Sequence, residues 1–121
     1  MAIVRKSDNI IQITINGGDG LPVTITGLSD LEIVAYQLPK RIIQRWTISG
    51  GGVVTVNDAG GIVKVYFDRD NTQLLNFKNE NCKLEVIATF TDANFESSLR
   101  REVDTDIELA VIEDSPTAYE A

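Results

Sequence analysis

The sequence predicts an all-β fold, an antiparallel β-sandwich of about seven to eight strands with one short helical turn. Three observations lead to this prediction. Val, Ile and Thr are frequent and occur in short runs in which apolar and polar side chains alternate. Gly, Asn and Asp interrupt these runs at short intervals, and apolar spacing typical of a helix is scarce. A chain of 121 residues is long enough for one such domain with a core between two sheets.

The chain begins with an apolar tip and a charged stem. Ile3 and Val4 are followed by charged and polar residues at positions 5–8. We predict that residues 1–9 form an N-terminal arm that precedes the sandwich domain of residues 10–112. Two interpretations of the arm are open: a terminus without fixed structure, or a segment that pairs with a neighbouring subunit by strand addition.

The first predicted strand has Ile11, Ile13 and Ile15 on one face with polar residues between them, which is the period of a half-buried strand. A loop at residues 17–20 ends this strand, because three of its four residues are glycine. Residues 23–26 are then predicted to form a further short strand.

A strand with two apolar faces is predicted at residues 30–38. Val34 and Tyr36 lie on the face opposite to the one that carries Leu31 and Ile33. Two arrangements explain such a strand: a position in the middle of a sheet, or an outer face that meets another subunit.

Three basic residues, Lys40, Arg41 and Arg45, follow that strand and precede Trp46. We predict that Trp46 belongs to the core, because large aromatic side chains dominate the burial of apolar surface. The basic residues are either solvated at a loop or form a patch that docks the acidic end of a neighbouring subunit.

A β-hairpin and a helical turn come next. Residues 53–56 are all β-branched, which favours a strand. Residues 57–61 are Asn, Asp, Ala and two Gly and are predicted to form the turn of the hairpin. Residues 62–67 are predicted to form the second strand, because their side chains alternate between two faces. Asp70 is predicted to cap a helical turn at residues 70–76. The apolar residues that we expect to cover one end of the core from this turn are Leu74, Leu75 and Phe77.

The last two strands are predicted at residues 82–90 and 99–111. The final strand places carboxylates on one face and apolar residues on the other, namely Glu102, Asp104, Asp106 and Glu108 opposite Leu99, Val103, Ile107, Leu109 and Val111. The carboxylates are either a solvated face that blocks pairing between sheet edges or a negative stripe that receives a basic patch of a partner. Residues 113–121 are predicted to be a flexible C-terminal tail.

Charge and residue usage argue against several functions. The formal net charge of −7 lies entirely in residues 92–121, which hold nine acidic and two basic side chains. We therefore expect no nucleic-acid partner, since binding to phosphates requires positive charge. The chain has no His and one Cys, Cys82, which we predict to be a buried apolar residue. We expect no catalytic residue, metal or cofactor, and no segment has the length and apolar character of a membrane span.

The central stretch of the chain carries a series of short motifs. In chain order they are Trp46-x-Ile48, a Gly run at 50–52, Asn57-Asp58-x-Gly60, Val63-x-Val65-x-Phe67 and Asp70-x-Thr72-x-Leu74. These motifs resemble those of the small immunoglobulin-like domains of tailed-phage virions, such as the amino-terminal domain of the upper-baseplate family. The resemblance covers roughly residues 10–112. The sequence departs from it at Asn81 to Leu84, where such domains often begin a strand with Gly-Tyr.

The resemblance implies an immunoglobulin-like sandwich and a structural function. We expect a non-enzymatic adaptor or decoration subunit of a phage virion, made in the host cytoplasm, that anchors a fibre or receptor-binding protein to the capsid or baseplate. Its partners would be other virion proteins and further copies of itself, as a dimer or trimer. The residues that we predict to contact partners are Ile3, Val4, Val34, Tyr36, Lys40, Arg41, Arg45, Glu102, Asp104, Asp106 and Glu108.

The alternative function is a small carbohydrate-binding sandwich. Trp46, Tyr36 and Tyr66 would then stack against sugar rings. Exposure separates the two functions, since aromatic side chains on an open flat face favour sugar binding and buried ones favour a structural role.

Overall fold

The computed structural model describes residues 2–37, 41–75 and 81–112, without the side chains of residues 2, 105, 106 and 112. Eight strands account for most of the described chain. They are β1 (Ala2–Val4), β2 (Asn9–Thr14), β3 (Asp30–Gln37), β4 (Arg41–Thr47), β5 (Val53–Asn57), β6 (Ile62–Phe67), β7 (Cys82–Thr91) and β8 (Leu99–Ile112). A 3₁₀ turn at Ile25–Gly27 and a one-turn helix, α1 (Arg69–Thr72), complete the fold.

The strands form two sheets with the order β1-β8-β7-β3-β4 and β2-β6-β5. Every pairing is antiparallel except that of β1 with β8, which is parallel. In an immunoglobulin sandwich the second, fifth and fourth strands form one sheet, and the third, sixth and seventh strands form the other. The three-stranded sheet and the β8-β7-β3 part of the larger sheet have this order when β2 is counted as the second strand and β4 as an additional strand beside the third, as in variable-type domains. The predicted all-β, immunoglobulin-like antiparallel sandwich is confirmed.

The core lies between the two sheets and follows the predicted alternation. Ile11 and Ile13 of β2 are buried, and so are Val63, Val65 and Phe67 of β6. The Phe67 ring meets the Trp46 ring edge to face, with centroids 5.3 Å apart and an interplanar angle of 80°. The Trp46 indole N–H donates a hydrogen bond of 3.0 Å to the backbone oxygen of Tyr66, so the burial of Trp46 leaves its polar atom satisfied.

The N-terminal residues belong to the domain, which corrects the predicted arm. In β1, Ile3 lies opposite Val111 of β8 and is 0% exposed. The Asn9 side chain closes the turn behind β1, since it accepts a hydrogen bond from the Val4 N–H and donates one to the Ser7 backbone oxygen. Residues 2–4 are therefore a core strand, because burial of Ile3 outweighs the tendency of a terminus to fray.

Residues 23–26 do not form the predicted strand. The chain makes a 3₁₀ turn at Ile25–Gly27 instead, and Asp58 from the β5–β6 turn holds it. The Asp58 carboxylate accepts hydrogen bonds from the N–H and the hydroxyl of Thr26, at 2.8 and 3.0 Å. This tertiary contact, together with the burial of Ile25, overrides the β propensity of the segment.

The helical turn is shorter than predicted and begins earlier. Asp68, not Asp70, occupies the N-cap position of α1, and its side chain makes no capping hydrogen bond. Thr72 is buried, and its hydroxyl donates to the Ser7 backbone oxygen at 2.9 Å. Leu75 packs into the core as predicted, whereas Leu74 is exposed and Phe77 lies outside the described residues.

A β-bulge divides β8 into two parts that face opposite ways. Leu84 of β7 pairs with Ile107, but Val86 pairs with Asp104, so two residues of β8 lie opposite one residue of β7. Ile107 and Leu109 therefore face the core as predicted, but Val103 is 49% exposed on the outer face. Glu102 and Asp104 turn towards the space between the sheets. The prediction of a single carboxylate face along the final strand is wrong for this reason.

Candidate functional site

The sandwich is open on one side, between the edge of β2 and the first half of β8. The opening is a cleft of about 540 Å³, which is within the range of clefts that hold ligands. We call it the acidic cleft. Its lining consists of residues 14–18 on one side, Glu102, Val103 and Asp104 on the other, and Val86 and Ala88 at its base.

The charge of the acidic cleft is set by how Arg100 is held. One guanidinium nitrogen of Arg100, Nη1, pairs with Asp92 at 3.0 Å, and the guanidinium lies 4.5 Å from the centre of the Phe90 ring. Glu102 Oε1 stands 3.7 Å from Arg100 Nε, which is an ion pair without a hydrogen bond. Arg100 therefore lies between two carboxylates, those of Asp92 and Glu102, and balances part of their charge beside the cleft.

A second surface lies on the outer face of the three-stranded sheet. Ile10, Val54 and Tyr66 are exposed there by 64, 36 and 45%. Ile10 pairs directly with Tyr66, Val54 pairs with Lys64, and Lys64 Nζ lies 5.5 Å from the Tyr66 ring centre. We call Ile10, Val54, Lys64 and Tyr66 the small-sheet patch. Sequence reasoning missed it as a unit, although apolar residues at the outward positions of β2, β5 and β6 were a visible signal.

The predicted contact residues of the first half of the chain have different environments. Ile3 is in the core and Val4 is half-buried beside it. Val34 is only 4% exposed and Tyr36 is half-buried, because β3 lies between β7 and β4. The position of β3 in the middle of a sheet therefore accounts for its two apolar faces without a second subunit.

The two residues of the predicted basic group that the structure describes, Arg41 and Arg45, lie on β4. Arg41 is exposed at the start of β4, Arg45 forms an ion pair of 3.2 Å with Glu32, and Lys40 lies outside the described residues. The β4 edge is also separated from β8 by two strands, so these residues and the carboxylates of β8 lie apart.

The predicted acidic stripe is divided between two faces. Glu102 and Asp104 line the acidic cleft. Glu108 is on the outer face, where its ion pair with Lys83 at 3.1 Å and a hydrogen bond from Asn81 hold the pKa of its carboxyl below the ordinary value. The side chain of Asp106 lies outside the described part of the structure.

The three aromatic candidates for sugar binding do not share a surface. Trp46 is 5% exposed and points between the sheets, where it contacts Phe67. Tyr36 pairs with Ile42 and Lys83 in the larger sheet, and Tyr66 is exposed on the smaller one. The geometry therefore does not favour a stacking platform made of these residues.

Neither a reactive thiol nor a cluster of metal ligands occurs in the described residues. Cys82 is fully buried, and this burial raises the pKa of its thiol to about 12. A thiol with this pKa is not a nucleophile near neutral pH, since the thiolate is the reactive form. The described side chains contain no group of three or more His, Cys, Asp or Glu that could hold a metal ion.

Comparison of the chain with protein-family models and with curated proteins finds no match. Within the described ranges, no helix has the length and apolar character needed to cross a membrane.

Proposed function

We propose that this domain is a non-enzymatic adaptor that holds proteins together in an assembly, and that the assembly is a tailed-phage virion. The small-sheet patch is the observation that carries the adaptor role. The motifs that resemble phage immunoglobulin-like domains motivate the place in a virion. In that setting the domain anchors a fibre or receptor-binding protein to the capsid or baseplate.

The small-sheet patch differs from scattered apolar residues on an ordinary surface. An antiparallel sheet with one solvated face normally carries polar side chains on that face. Here Ile10 and Tyr66 are cross-strand neighbours, and Val54 adjoins the stem of Lys64 on the next strand. Contiguous exposed apolar side chains of this kind mark surfaces that other proteins cover. We infer that the patch joins copies of this chain as a dimer or trimer.

The substitution Ile10→Lys tests the patch. We expect it to shift a defined oligomer to monomer, because a buried Lys ammonium would lose its hydration at the contact. The measurement is the solution mass by light scattering after size exclusion, across a concentration series. Leu21→Lys is the matched control, since Leu21 is also 64% exposed but lies in a loop away from the patch. A wild-type monomer at every concentration, or dissociation by both variants, would contradict the role of the patch.

The place in a virion has a separate test. Particles from a lysate of cells that carry the gene are separated on a density gradient, and each fraction is probed for this chain. We expect the chain to sediment with intact particles. If the chain is found only in the fractions of free protein, the virion assignment is refuted. The adaptor role would still be tested by the measurement of solution mass.

A further inference from the structure

We propose that two copies of this chain pair edge to edge through β2, so that their smaller sheets, of three strands each, form one continuous antiparallel sheet. This inference rests on the proposed function, because it names the geometry by which copies are joined. Four features of the described residues support it: a free backbone edge on β2, a β2 sequence that is complementary to itself, a strand position that β1 leaves open, and balanced charge beside that position.

The free backbone edge of β2 is the one that faces away from β6. Ile15 donates its backbone N–H to the Gly61 oxygen at 2.7 Å, on the side where β6 lies. Successive residues of a strand direct their N–H and C=O groups to opposite edges, so those of Ile10, Gln12 and Thr14 point away from β6. All three residues are exposed, and no strand within the described ranges pairs with this edge. Such an edge is a template for an added strand.

The sequence of β2 is suited to pairing with a second β2. Edge strands often carry charged residues or Pro, which oppose pairing between copies, but residues 9–16 contain neither. In contrast, β4, an edge strand of the larger sheet, carries two Arg residues. When two copies of β2 are antiparallel with Gln12 on the two-fold axis, Ile10 of each copy lies opposite Thr14 of the other. The opposed residues all direct their N–H and C=O groups to the free edge, so each pair exchanges two backbone hydrogen bonds.

The open strand position lies beside the first half of β8. Because β1 pairs only with residues 110–112 of β8, the rest of that edge has no neighbour within the described part of the chain. The unpaired part includes residues 102–104, which lie near Thr14, whereas β1 lies near Asn9 at the other end of β2. The two-fold axis through Gln12 exchanges these two ends. It therefore brings β1 of each copy to the end where β8 of the other copy has no neighbour.

Charge does not oppose this contact, although the chain as a whole is acidic. Residues 99–104, the part of β8 that approaches the second copy, contain two basic and two acidic side chains. Arg100 Nη1 pairs with Asp92 at 3.0 Å, and Arg100 Nε lies 3.7 Å from Glu102 Oε1. The charges are therefore balanced within each copy, so two copies can meet at this edge without a net repulsion between like charges.

Hydrogen exchange of the wild-type protein, followed by NMR, tests the pairing directly. A Lys at position 10 would place a charge on the paired edge, so Ile10→Lys is expected to separate copies in this geometry as well. We expect the amides of Gln12 and Thr14 to exchange at least about tenfold more slowly in the wild-type oligomer than in this variant. Equally rapid exchange in an oligomeric wild type would overturn the edge pairing alone. A wild-type monomer at every concentration would contradict both the edge pairing and the role of the patch.

Substitution by Pro removes a hydrogen-bond donor from the edge without changing the small-sheet patch. Gln12→Pro deletes an N–H that points away from β6, and Pro is tolerated at such positions of an edge strand. We expect this variant to be monomeric by light scattering at concentrations where the wild type is oligomeric. Thr55→Pro on β5 is the matched control, because its N–H also points away from β6 by the same alternation. An oligomeric Gln12→Pro with the fold intact by NMR, or dissociation of both variants, would overturn the proposal.

A disulfide trap tests the register of the pairing. The substitution Gln12→Cys places two Cys residues on the two-fold axis, where the Cα atoms of a hydrogen-bonded antiparallel pair are about 5.5 Å apart, within the range that a disulfide spans. We expect mild oxidation to link two copies through this residue, and Thr55→Cys, the control, to remain unlinked. Cys82 does not compete, because it is fully buried. Absence of linkage in Gln12→Cys, or equal linkage of the control, would overturn the proposal.

Discussion

Replacement of Phe67 by Ala is expected to lower the free energy of unfolding by about 3–5 kcal/mol, the range for truncation of a large buried aromatic residue. Phe67 of β6 is 0% exposed, and its ring contacts the Trp46 ring edge to face. Its removal would leave a cavity between the two sheets and would withdraw the aromatic contact as well. Because the two rings link the smaller sheet to β4 of the larger one, this change weakens the packing of the sandwich as a whole.

Chemical denaturation followed by Trp46 fluorescence measures this effect, since the chain has a single Trp. Phe95→Ala is the control, because Phe95 lies in the β7–β8 turn and is 49% exposed. We expect the control to change the free energy of unfolding by no more than about 0.5 kcal/mol. A similar small change for Phe67→Ala would mean that the two sheets do not pack through this contact.

Replacement of Ile3 by Ala is expected to lower the free energy of unfolding by about 2–5 kcal/mol, as for other buried Ile residues. The structure places Ile3 fully within the core, opposite Val111. The same substitution in a free arm would leave stability unchanged. The experiment therefore distinguishes an integral β1 from a segment that is ordered only against a neighbouring subunit.

Ile42→Ala is the matched control for Ile3→Ala, because Ile42 is also on a strand but is 49% exposed. Its loss of β propensity and cross-strand contact is expected to cost at most about 1 kcal/mol. Thermal and denaturant unfolding of both variants, at a protein concentration where their solution masses are equal, give the comparison. If the two substitutions lower the free energy of unfolding equally, residues 2–4 are an arm and not a strand of the core.

The bulge in β8 decides which of its side chains line the cleft. Without the extra residue opposite Glu85, the alternation of β8 would carry Glu102 to the solvent face together with Glu108. With it, Glu102 and Asp104 line the acidic cleft while Leu109 still packs in the core. Bulges commonly redirect side chains in this way next to functional sites. Because of this one extra residue, the second half of β8 directs apolar side chains into the core, while the first half directs carboxylates into the cleft.

The sequence by itself determined the fold class and most of the strands. Alternation in residues 11–15 and 62–67 identified strands and the faces that they bury, and the glycine-containing turn at 57–61 identified the hairpin that joins residues 62–67 to the preceding strand. It also placed Trp46 and Cys82 correctly in the core. These features depend on the spacing of neighbouring residues, because a strand repeats every two residues and turn residues act on their own backbone.

Only the tertiary structure decided the burial of Ile3, the turn at residues 25–27 and the side of the sheet to which the Glu102 side chain points. Each depends on a partner far away in the chain: Val111 for Ile3, Asp58 for Thr26, and the register of β7 for β8. The alternation of apolar and polar residues on either side of a bulge does not reveal that the bulge is there. A terminal strand differs from an arm only in being packed against the rest of the domain. Local spacing therefore identified most of the strands. Long-range contacts decided that residues 2–4 are a strand, that residues 25–27 are a turn and that Glu102 lines the cleft, because spacing does not encode contacts between distant residues.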